Sequence, residues 1–484
     1  MPARSRSAED HVIVIFGGRG DLARRKLLPA LFHLHHEGLL PKRFRIVGVA
    51  RTETSDEEFR DFAREAVEEF DRRPADSDWQ AFAERLSYLS HDVAPGDAQP
   101  LTDAVKRAEA ELADEGAGSV RRLFYLAVPP AVFGRLTLAL GEADLVERSR
   151  VVYEKPFGMD RPSFCELDEV VRSVLAAPQI YTIDHFLGKE TLQNVLALRF
   201  ANGMFEPVWN RAHIDHVQID VPEQLGVGSR AGFYEQTGAL RDMVVTHLFQ
   251  VLSVIALEPP ASLEPKPLTD EKVKVFEAMA PLRGEHVVRG QYEGYASAEG
   301  VSEGSDTETF LAARVEVDNW RWAGVPFYLR TGKRLAASRQ TVTLAFREPP
   351  RRMFGGELIA DRQPNDYLTL DLGRGELAVS FLAKRPGPGM DVEPAQMRYS
   401  YSEAANGKLV DAYERLLHDA LIGDRTLFTR ADGIERTWEL VQDLIDRPPP
   451  LGAYEQGSWG PERAADLIAP RRWYLPERDG RPAS

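Results

Sequence analysis

The sequence predicts two domains of different fold class: an α/β domain with a doubly wound parallel sheet, then an α+β domain with a large, mostly antiparallel sheet. From residue 11 to about residue 200, short runs rich in Val, Ile and Leu alternate with longer segments of helical periodicity, which is typical of parallel strands joined by helices. After about residue 200, strand-like runs follow one another with few helices between them, which favours antiparallel pairing. A chain of 484 residues, 43% of them apolar, is long enough for two or three cores.

The first domain is predicted to contain six strands, each a short apolar run. These strands are expected at residues 11–16, 44–49, 87–89, 123–127, 151–153 and 180–183. In the second domain, strands are expected at residues 216–221, 310–317, 325–329, 341–346, 367–372 and 377–381. Helices over residues 237–256 and 411–421 are expected to pack on the second sheet, and the Gly/Ser/Glu-rich residues 294–308 to form a surface loop.

The charge and the cysteine content narrow the classes of function. The chain has 60 Lys and Arg residues against 75 Asp and Glu residues, a formal net charge of −15, so we expect no nucleic-acid partner. A phosphorylated ligand would need basic residues gathered locally. Cys165 is the one cysteine, which excludes an intrachain disulfide, offers no C-x-x-C pair for a metal and fits a reduced, cytoplasmic setting.

No membrane segment is expected from the sequence. The first ten residues are polar, lack the apolar core of a signal peptide and are predicted to form a disordered tail. The longest apolar stretch, residues 243–257, is shorter than a membrane span and contains Thr246, His247 and Gln250. It therefore predicts a buried helix.

A glycine-rich turn follows the first predicted strand. Residues 17–22, GGRGDL, lead directly into a helical segment that carries Arg24, Arg25 and Lys26. Glycines at such a turn let a phosphate approach the backbone N–H groups at the positive end of the helix. The spacing lacks one glycine of the G-x-G-x-x-G fingerprint, so an ordinary tight turn is the alternative; the preceding strand and the basic helix favour phosphate binding.

Arg51 stands just after the second predicted strand. An NAD-specific site usually has Asp or Glu at this point to hold the ribose 2′-hydroxyl, whereas a guanidinium suits a 2′-phosphate. The position therefore favours NADP. A solvated surface arginine is the alternative.

Two further strand ends carry polar side chains. Lys155, in the string EKPFG, follows the fifth strand, at the edge where open α/β sheets bind their ligands. The string DHFLGKE begins at Asp184, directly after the sixth strand, so His185 and Lys189 could hold a phosphate from two sides. A helix-capping lysine and a local turn hydrogen bond of Asp184 are the structural alternatives.

Asp242, Thr246 and His247 interrupt the apolar helix predicted over residues 237–256. A histidine there is more often structural than catalytic. On an ideal α-helix, Asp242 and His247 would point about 140° apart, so one ligand could meet both only across the helix or near its start. A carboxylate–imidazole pair of Asp184 with His247 is the catalytic alternative.

The ordered strings resemble the glucose-6-phosphate dehydrogenase family from residue 11 to about residue 475. They are GGRGDLARRKLLPAL from Gly17, VARTE from Val49, EKPFG from Glu154, IDHFLGKE from Ile183, FANGMFEPVWNR from Phe200, GALRDMVVTHLFQ from Gly238, VPFYLRTGKRL from Val325, DAYERLL from Asp411 and YEQGSWGP from Tyr454. The resemblance implies a Rossmann-like NADP-binding domain over residues 11–184. It also implies a substrate-binding and dimerisation β+α domain over residues 185–484, in a homodimer or homotetramer.

The resemblance also implies roles for individual residues. It implies His247 as general base and Asp184 as its partner. It implies that the 6-phosphate is bound by His185 and Lys189. It implies that the sugar is bound by Lys155, Glu223, Asp242 and Lys333. It implies as cofactor-binding residues Gly17, Gly20, Asp21, Leu22, Lys26, Arg51, Asp92, Val93 and Lys155.

The activity implied is oxidation of D-glucose 6-phosphate at C1 to 6-phospho-D-glucono-1,5-lactone with hydride transfer to NADP, the first step of the oxidative pentose phosphate pathway. Phe186 stands where the family commonly has Tyr, which leaves another hexose or hexose phosphate open as substrate. Two different functions also stay open at this point: an enzyme of the glucose–fructose oxidoreductase type and a non-enzymatic NADP-sensing regulator.

Overall fold

The computed structural model describes residues 8–71, 73–228, 231–351, 353–354, 366–404 and 410–475. The chain forms two compact units. Unit 1 comprises Met1–Gly188, Ser262–Thr269 and Val410–Glu435, and unit 2 comprises Lys189–Ala261, Asp270–Leu409 and Arg436–Ser484. Residues 1–7 of the predicted tail lie outside the described residues, whereas Glu9 and Asp10 form ion pairs with Arg121 and Arg43. The boundary predicted at residue 184 stays a prediction.

Unit 1 is built on a six-stranded parallel sheet of order β3-β2-β1-β4-β5-β6. Its strands are β1 (His11–Phe16), β2 (Phe44–Ala50), β3 (Leu86–Ser90), β4 (Arg121–Leu126), β5 (Ser149–Tyr153) and β6 (Ile180–Thr182). Residues 12–15 of the central strand β1 are at most 1% exposed. The order reverses at β1, so the neighbouring ends of β1 and β4 form the crevice where such sheets bind ligands. The predicted α/β fold class is confirmed.

Six α-helices of unit 1 lie between its strands, with two of them between β2 and β3. They are α1 (Leu28–His36), which continues a π-helical turn (Ala23–Leu27), α2 (Asp56–Phe70), α3 (Asp76–Ala83), α4 (Gln99–Asp114), α5 (Phe133–Glu142) and α6 (Arg161–Val174). A capping box starts α2, because Ser55 and Glu58 satisfy each other's backbone N–H groups. Asp160 and Ser163 do the same for α6.

Unit 2 is built on a nine-stranded mixed sheet of order β14-β13-β12-β11-β7-β10-β9-β8-β15. Its strands are β7 (Ile214–Pro222), β8 (Val287–Tyr292), β9 (Phe310–Glu316), β10 (Pro326–Gly332), β11 (Thr341–Phe346), β12 (Tyr367–Asp371), β13 (Glu376–Lys384), β14 (Val392–Ser400) and β15 (Leu451–Tyr454). The β7–β10 and β8–β15 pairs are parallel and the other neighbours are antiparallel. The predicted mostly antiparallel sheet is confirmed.

The remaining helices complete the chain. They are α7 (Glu190–Phe200), α8 (Ala231–Ala239), α9 (Phe249–Ala256), α10 (Pro265–Ala278), α11 (Tyr401–Ala404), α12 (Ala412–Ile422), α13 (Ala431–Asp446) and α14 (Arg463–Ile468). The helix predicted over residues 411–421 is present as α12. The prediction that it packs on the second sheet was wrong. Helix α12 belongs to unit 1 and packs against α1, where His33 contacts Glu414.

A π-helix (Leu240–Leu248) joins α8 to α9. The Ala231–Ala256 run has the length and apolar composition of a membrane span, but 89% of its most apolar window is buried inside the protein. Both the polar side chain of His247 and the aromatic side chain of Phe249 in this run are fully buried. The structure therefore has the buried helix that the sequence predicts, although part of it has π rather than α geometry.

Candidate active site

The glycine turn after β1 is shaped by close backbone packing. Gly17 has a φ of +78°, and a Cβ there would lie 2.2 Å from the carbonyl oxygen of Ala127. A Cβ on Gly18 would lie 2.8 Å from the Cα of Gly48. The N–H groups of Gly17 and Gly18 both donate to the carbonyl of Val49, so these two glycines shape the turn, and the helix that follows offers its positive end to a phosphate. This backbone fits the phosphate-binding turn of a dinucleotide site.

The other predicted cofactor residues of unit 1 lie at the same carboxyl edge or on the first helix. Arg51 is exposed after β2, Asp92 after β3 forms an ion pair with Arg135 at 2.7 Å, and Val93 is buried. Two further predicted residues also form ion pairs: Asp21 with Arg25 and Lys26 with Asp411. Gly20, which donates to the carbonyl of Gly17, and Leu22 lie in the turn itself.

Glu154 and Lys155 follow β5, at the same edge of the sheet. Glu154 is 9% exposed and its carboxyl accepts a hydrogen bond from the hydroxyl of Tyr125 on β4. Burial raises the pKa of Glu154 to about 7, against the opposing effects of the Tyr125 hydrogen bond and the Lys155 charge. Lys155 is half-buried, so a cationic side chain stands beside a buried carboxyl where a ligand would meet the sheet.

Asp184 and His185 follow β6 in a tight turn. The Oδ1 atom of Asp184 accepts a hydrogen bond from the N–H of Phe186 at 2.9 Å, and its carbonyl accepts from Leu187. The local turn hydrogen bond that the sequence allows is therefore present, and it fixes the orientation of the buried carboxylate. The ring of His185 stacks on Tyr413, with 12° between the ring planes.

In unit 2, Glu223 and Lys333 come together at the ends of two neighbouring parallel strands. The Lys333 ammonium donates to the Glu223 carboxylate, and the N–H of Glu223 donates to the carbonyl of Gly332 at 2.9 Å. The Nζ atom of Lys333 lies 5.6 Å from the ring centroid of the buried Tyr234. The structure thus brings two of the predicted substrate-side residues into contact.

Asp220, Arg330 and Arg339 form a buried ion triad that aligns strands β7 and β10 near the Glu223–Lys333 pair. Arg330 donates to Asp220 through two hydrogen bonds of 2.8 and 2.7 Å, and Arg339 donates to the same carboxylate. Burial would raise the pKa of Asp220, but the two guanidiniums outweigh it and lower that pKa below its ordinary value. Because Arg330 pairs with Asp220 across β10 and β7, the residues three positions further on, Lys333 and Glu223, also come side by side.

Asp242 and His247 lie on the π-helix, where Asp242 is 8% exposed and His247 is fully buried. The N–H of Phe249 donates to the carbonyl of Val244, five residues earlier, which is the π-helical pattern. Residues five apart therefore point in more similar directions than they would on an α-helix. The expectation from ideal α-geometry that Asp242 and His247 point about 140° apart was wrong, because the segment is not α-helical.

Lys189 occupies the N-cap position of α7 in unit 2. Its Nζ atom donates to the side chain of Gln340 and, at 3.4 Å, to the carbonyl of Leu372. The lysine is half-buried, so its charge is held in a defined place between α7 and the sheet.

Some residues of these clusters were not predicted from the sequence. Tyr125, Tyr413, Gln340 and Arg19 were not assigned roles, although each contacts a predicted site residue or its neighbouring loop. The string DAYERLL contains Tyr413 and was the one signal that could have identified it. Arg19 likewise lies in the quoted string GGRGDLARRKLLPAL. Tyr125 and Gln340 lie outside the quoted strings, so contacts distant in sequence were needed to identify them.

The fold and these clusters define a class of protein. A parallel sheet of order 3-2-1-4-5-6 with a glycine turn after its first strand is a dinucleotide-binding unit. In this chain the dinucleotide-binding unit is joined to a second unit, which has a large sheet, a buried histidine and paired Lys and Glu side chains. This combination is typical of a dinucleotide-dependent oxidoreductase.

Comparison with known proteins identifies the family. Residues 14–194 match the family model "Glucose-6-phosphate dehydrogenase, NAD binding domain", and residues 196–474 match "Glucose-6-phosphate dehydrogenase, C-terminal domain". The chain therefore belongs to the glucose-6-phosphate dehydrogenase family. The family resemblance of the ordered strings is confirmed.

Individual relatives match nearly the whole chain. The glucose-6-phosphate 1-dehydrogenase of Rhizobium meliloti (strain 1021) is 41% identical over 490 residues, which cover 97% of this chain and 96% of the relative. A solved glucose-6-phosphate dehydrogenase in complex with its substrate glucose-6-phosphate is 31% identical, with a TM-score of 0.89 over 98% of this chain and 99% of the other. The crystal structure of the enzyme from Mycobacterium avium is 38% identical, with a TM-score of 0.83 over 97% of this chain and 100% of the other.

Proposed function

We propose that this chain oxidises D-glucose 6-phosphate at C1 to 6-phospho-D-glucono-1,5-lactone with NADP, the first step of the oxidative pentose phosphate pathway. The observation that carries the proposal is the likeness over 97% of the chain to relatives named for this activity. Both clusters needed for it, the glycine turn of unit 1 and the buried polar residues of unit 2, are present in the described residues.

Unit 1 is proposed to hold NADP. The turn formed by Gly17 and Gly20, followed by Asp21 and Leu22, fits the pyrophosphate, because its backbone is tight and a helix begins there. The other proposed contacts come from Lys26, Arg51, Asp92, Val93 and Lys155. Arg51, exposed at the end of β2, supplies the positive charge that a 2′-phosphate requires. When bound, NADP supplies the hydride acceptor at C4 of its nicotinamide.

His247 is proposed as the general base. Loss of hydride leaves C1 electron-poor unless the proton of the C1 hydroxyl leaves as well, so a base must accept that proton. A neutral imidazole is suited to this task, and Asp184 is proposed to accept the second imidazole N–H and to stabilise the imidazolium that forms. The turn hydrogen bond from Phe186 keeps the Asp184 carboxylate in one orientation.

The substrate is proposed to be held at both ends. His185 and Lys189 are proposed to bind the 6-phosphate, whose remote binding energy orients the reacting carbon. Lys155, Glu223, Asp242 and Lys333 are proposed to bind the sugar. The ion pair between Glu223 and Lys333 supports this role, because it presents an acceptor and a donor side by side at the strand ends.

The assembly is proposed to be a homodimer or homotetramer, and its location the cytoplasm. The outer strands β13 and β14 support self-association, because along β14 the residues Met397 and Tyr399 are 60% and 50% exposed. Apolar side chains on an exposed strand pair favour a protein partner.

The test measures the absorbance of the reduced cofactor, NADPH or NADH. Glucose 6-phosphate and glucose are each assayed with NADP and with NAD. We expect rapid NADP reduction with glucose 6-phosphate, much slower reduction with glucose, and a lower kcat/KM with NAD than with NADP. Equal rates with both sugars would reject the phosphate-binding role. No reduction with either sugar would favour a protein that binds NADP without catalysis.

A further inference from the structure

The π-helix Leu240–Leu248 begins directly after a sharp break in the chain. Gly238 has a φ of +60° and a ψ of −179°, which lie outside helical geometry. The first N–H groups of a helix have no partner within it, and here one residue of the loop before β9 accepts two such bonds. The N–H of Ala239 donates to the carbonyl of Glu308, and the N–H of Leu240 donates to the Oε1 atom of Glu308, both at 3.0 Å.

The Glu308 carboxylate is itself held in one place. It is 6% exposed, and its Oε2 atom accepts two hydrogen bonds from the guanidinium of Arg289, at 3.2 and 3.0 Å. Arg289 is fixed in turn, because it also donates to the carbonyl of Pro449 at 3.0 Å. A Cβ on Gly238 would lie 2.5 Å from the Oε1 atom of Glu308, so glycine is needed for the carboxylate to come this close to the start of the π-helix.

The other end of the same helical run is also bound by side chains. Three buried side chains donate to its last carbonyls, each at 2.8 Å: Trp209 to Ile255, Trp322 to Ala256 and Arg199 to Leu257. A carboxylate at the first turn and a guanidinium at the last both favour the dipole of the run. Residues 240–256 are therefore fixed at both ends, and Glu308 holds the end nearer in sequence to Asp242 and His247.

We propose that Glu308 is a positioning residue for the general base: its hydrogen bond to Leu240 sets the place of the π-helix that carries His247. This inference rests on the proposed function and deepens it. A π-helical segment is rarer than an α-helix, and without the carboxylate its first turn is free to rewind. Because rewinding changes the directions in which Asp242 and His247 point, the base would no longer stand at its working distance from the C1 hydroxyl.

A merely structural role for Glu308 makes a different prediction. Loss of stability alone lowers the number of folded molecules, whereas the turnover of each folded molecule and its KM values stay the same. A residue that acts through His247 has nothing left to act on once that base is removed. Its loss should then be strongly non-additive with the loss of the base, which a double-mutant cycle measures.

The experiment measures kcat for each folded active site of the full chain, with the sites counted by calorimetric titration with NADPH. For Glu308→Ala, we expect kcat per site to fall about 10- to 100-fold, the range for a small misplacement of a reacting group. KM for glucose 6-phosphate should rise, because Asp242 moves with the helix, while KM for NADP should change less than about twofold. In a His247→Asn background, the same change should lower kcat by less than about twofold.

Glu308→Gln separates the hydrogen bond from the bulk of the side chain. The amide has the size of the carboxyl and keeps an acceptor oxygen for Leu240, but it loses the charge that holds it to Arg289. Its kcat per site should therefore lie between those of Glu308→Ala and the unaltered protein. Should Glu308→Ala fail to fold, Glu308→Gln decides alone, and an unaltered kcat there would overturn the inference.

Glu235→Gln is the matched control. Glu235 on α8 bonds to the same loop, since it accepts from the hydroxyls of Tyr295 at 2.8 Å and Ser305 at 2.9 Å; its loss should leave kcat per site and both KM values unaltered.

Three results would overturn the inference: an unaltered kcat per site in Glu308→Ala, equal fractional losses with and without His247, or equal losses in the Ala and Gln variants. If the unaltered chain did not oxidise glucose 6-phosphate, the proposed function would fail. If it did so and Glu308→Ala kept its kcat, only the present inference would fail.

Discussion

Tyr125 donates a hydrogen bond to the buried carboxyl of Glu154, the residue directly before Lys155. The pair joins neighbouring strands β4 and β5 at the edge where the predicted ligand residues stand. Glu154, whose pKa is raised to about 7, therefore stands next to Lys155, which is proposed to contact both substrate and cofactor.

The first prediction concerns the pH dependence of stability. Burial raises the pKa of Glu154 from its ordinary 4.5 to about 7, so between these values the folded state holds a proton that the unfolded chain releases. The stabilising contribution of this group is therefore complete below pH 4.5 and is lost as the pH rises through 7, by about 3 kcal/mol at most. Glu154→Gln cannot titrate and should lack this loss.

Thermal melts of both proteins at about pH 5 and about pH 8.5 measure this effect. The other titratable groups are the same in both proteins and cancel in the comparison. The fall in Tm from the lower to the higher pH should therefore be smaller in Glu154→Gln by several degrees. An identical pH dependence in the two proteins would show that the carboxyl does not titrate in this range.

The second prediction concerns the buried triad of Asp220, Arg330 and Arg339. Asp220→Asn removes the charge that both guanidiniums face, and loss of one partner from a buried ion pair typically costs about 3–5 kcal/mol. We expect a lower free energy of unfolding by denaturant in that range. Lys333 and Glu223 should also bind substrate less well, so KM for glucose 6-phosphate should rise.

Asp371→Asn serves as the matched control for that experiment. Asp371 lies on β12 of the same sheet and its ion pair, with Arg374, is long at 3.9 Å and exposed on the arginine side. Its unfolding free energy should change by less than about 1 kcal/mol. A similarly small change in Asp220→Asn would mean that the triad does not fix the strand register.

The third prediction tests the proposed base. His247→Asn preserves a side chain of similar polarity but cannot accept a proton at neutral pH, so kcat should fall by about 10² to 10⁴. The Kd for glucose 6-phosphate should stay within about threefold of the unaltered value, measured by calorimetry. A near-normal kcat would reject the assignment of His247.

The fourth prediction tests the proposed phosphate contact. Lys189→Gln should raise KM for glucose 6-phosphate and lower kcat, with a combined loss in kcat/KM of about 10- to 100-fold. Activity with free glucose should hardly change, since that sugar has no phosphate to lose. Lys274→Gln, an exposed lysine that pairs with Glu271, is the control, and an unaltered KM in Lys189→Gln would contradict the role.

The sequence was sufficient for the two fold classes, the family and most strands, because apolar β-branched runs mark buried strands directly. It did not reveal β8, β14 or β15. Arg289 and Gln291 interrupt the apolar pattern of β8, and β14 is largely exposed, with Glu393 and Arg398 among its residues. Such strands form because a neighbour offers hydrogen bonds, and the sequence of the strand alone does not record its neighbour.

The candidate site was predictable only where a motif sits at a strand end. The residues Lys155 and Asp184 were found in this way, and the structure places both at the carboxyl edge of the unit 1 sheet. The geometry of Asp242 and His247 was not predictable, because nothing in the local sequence distinguishes π from α pitch. The position of α12 against α1 likewise depends on tertiary contacts between residues far apart in the chain, such as His33 and Glu414.

The fifth prediction concerns Phe186, which is 2% exposed and packs against His185 with 5.0 Å between the ring centroids. Phe186 directly follows His185, which is proposed to bind the phosphate. Phe186→Tyr should lower KM for glucose 6-phosphate about three- to tenfold, because the added hydroxyl can donate to the phosphate. KM for glucose should stay unchanged, which separates a phosphate contact from a general change in the sugar site. If instead Tm fell and neither KM changed, the hydroxyl would be buried without a partner, and this enzyme would bind the phosphate without help from position 186.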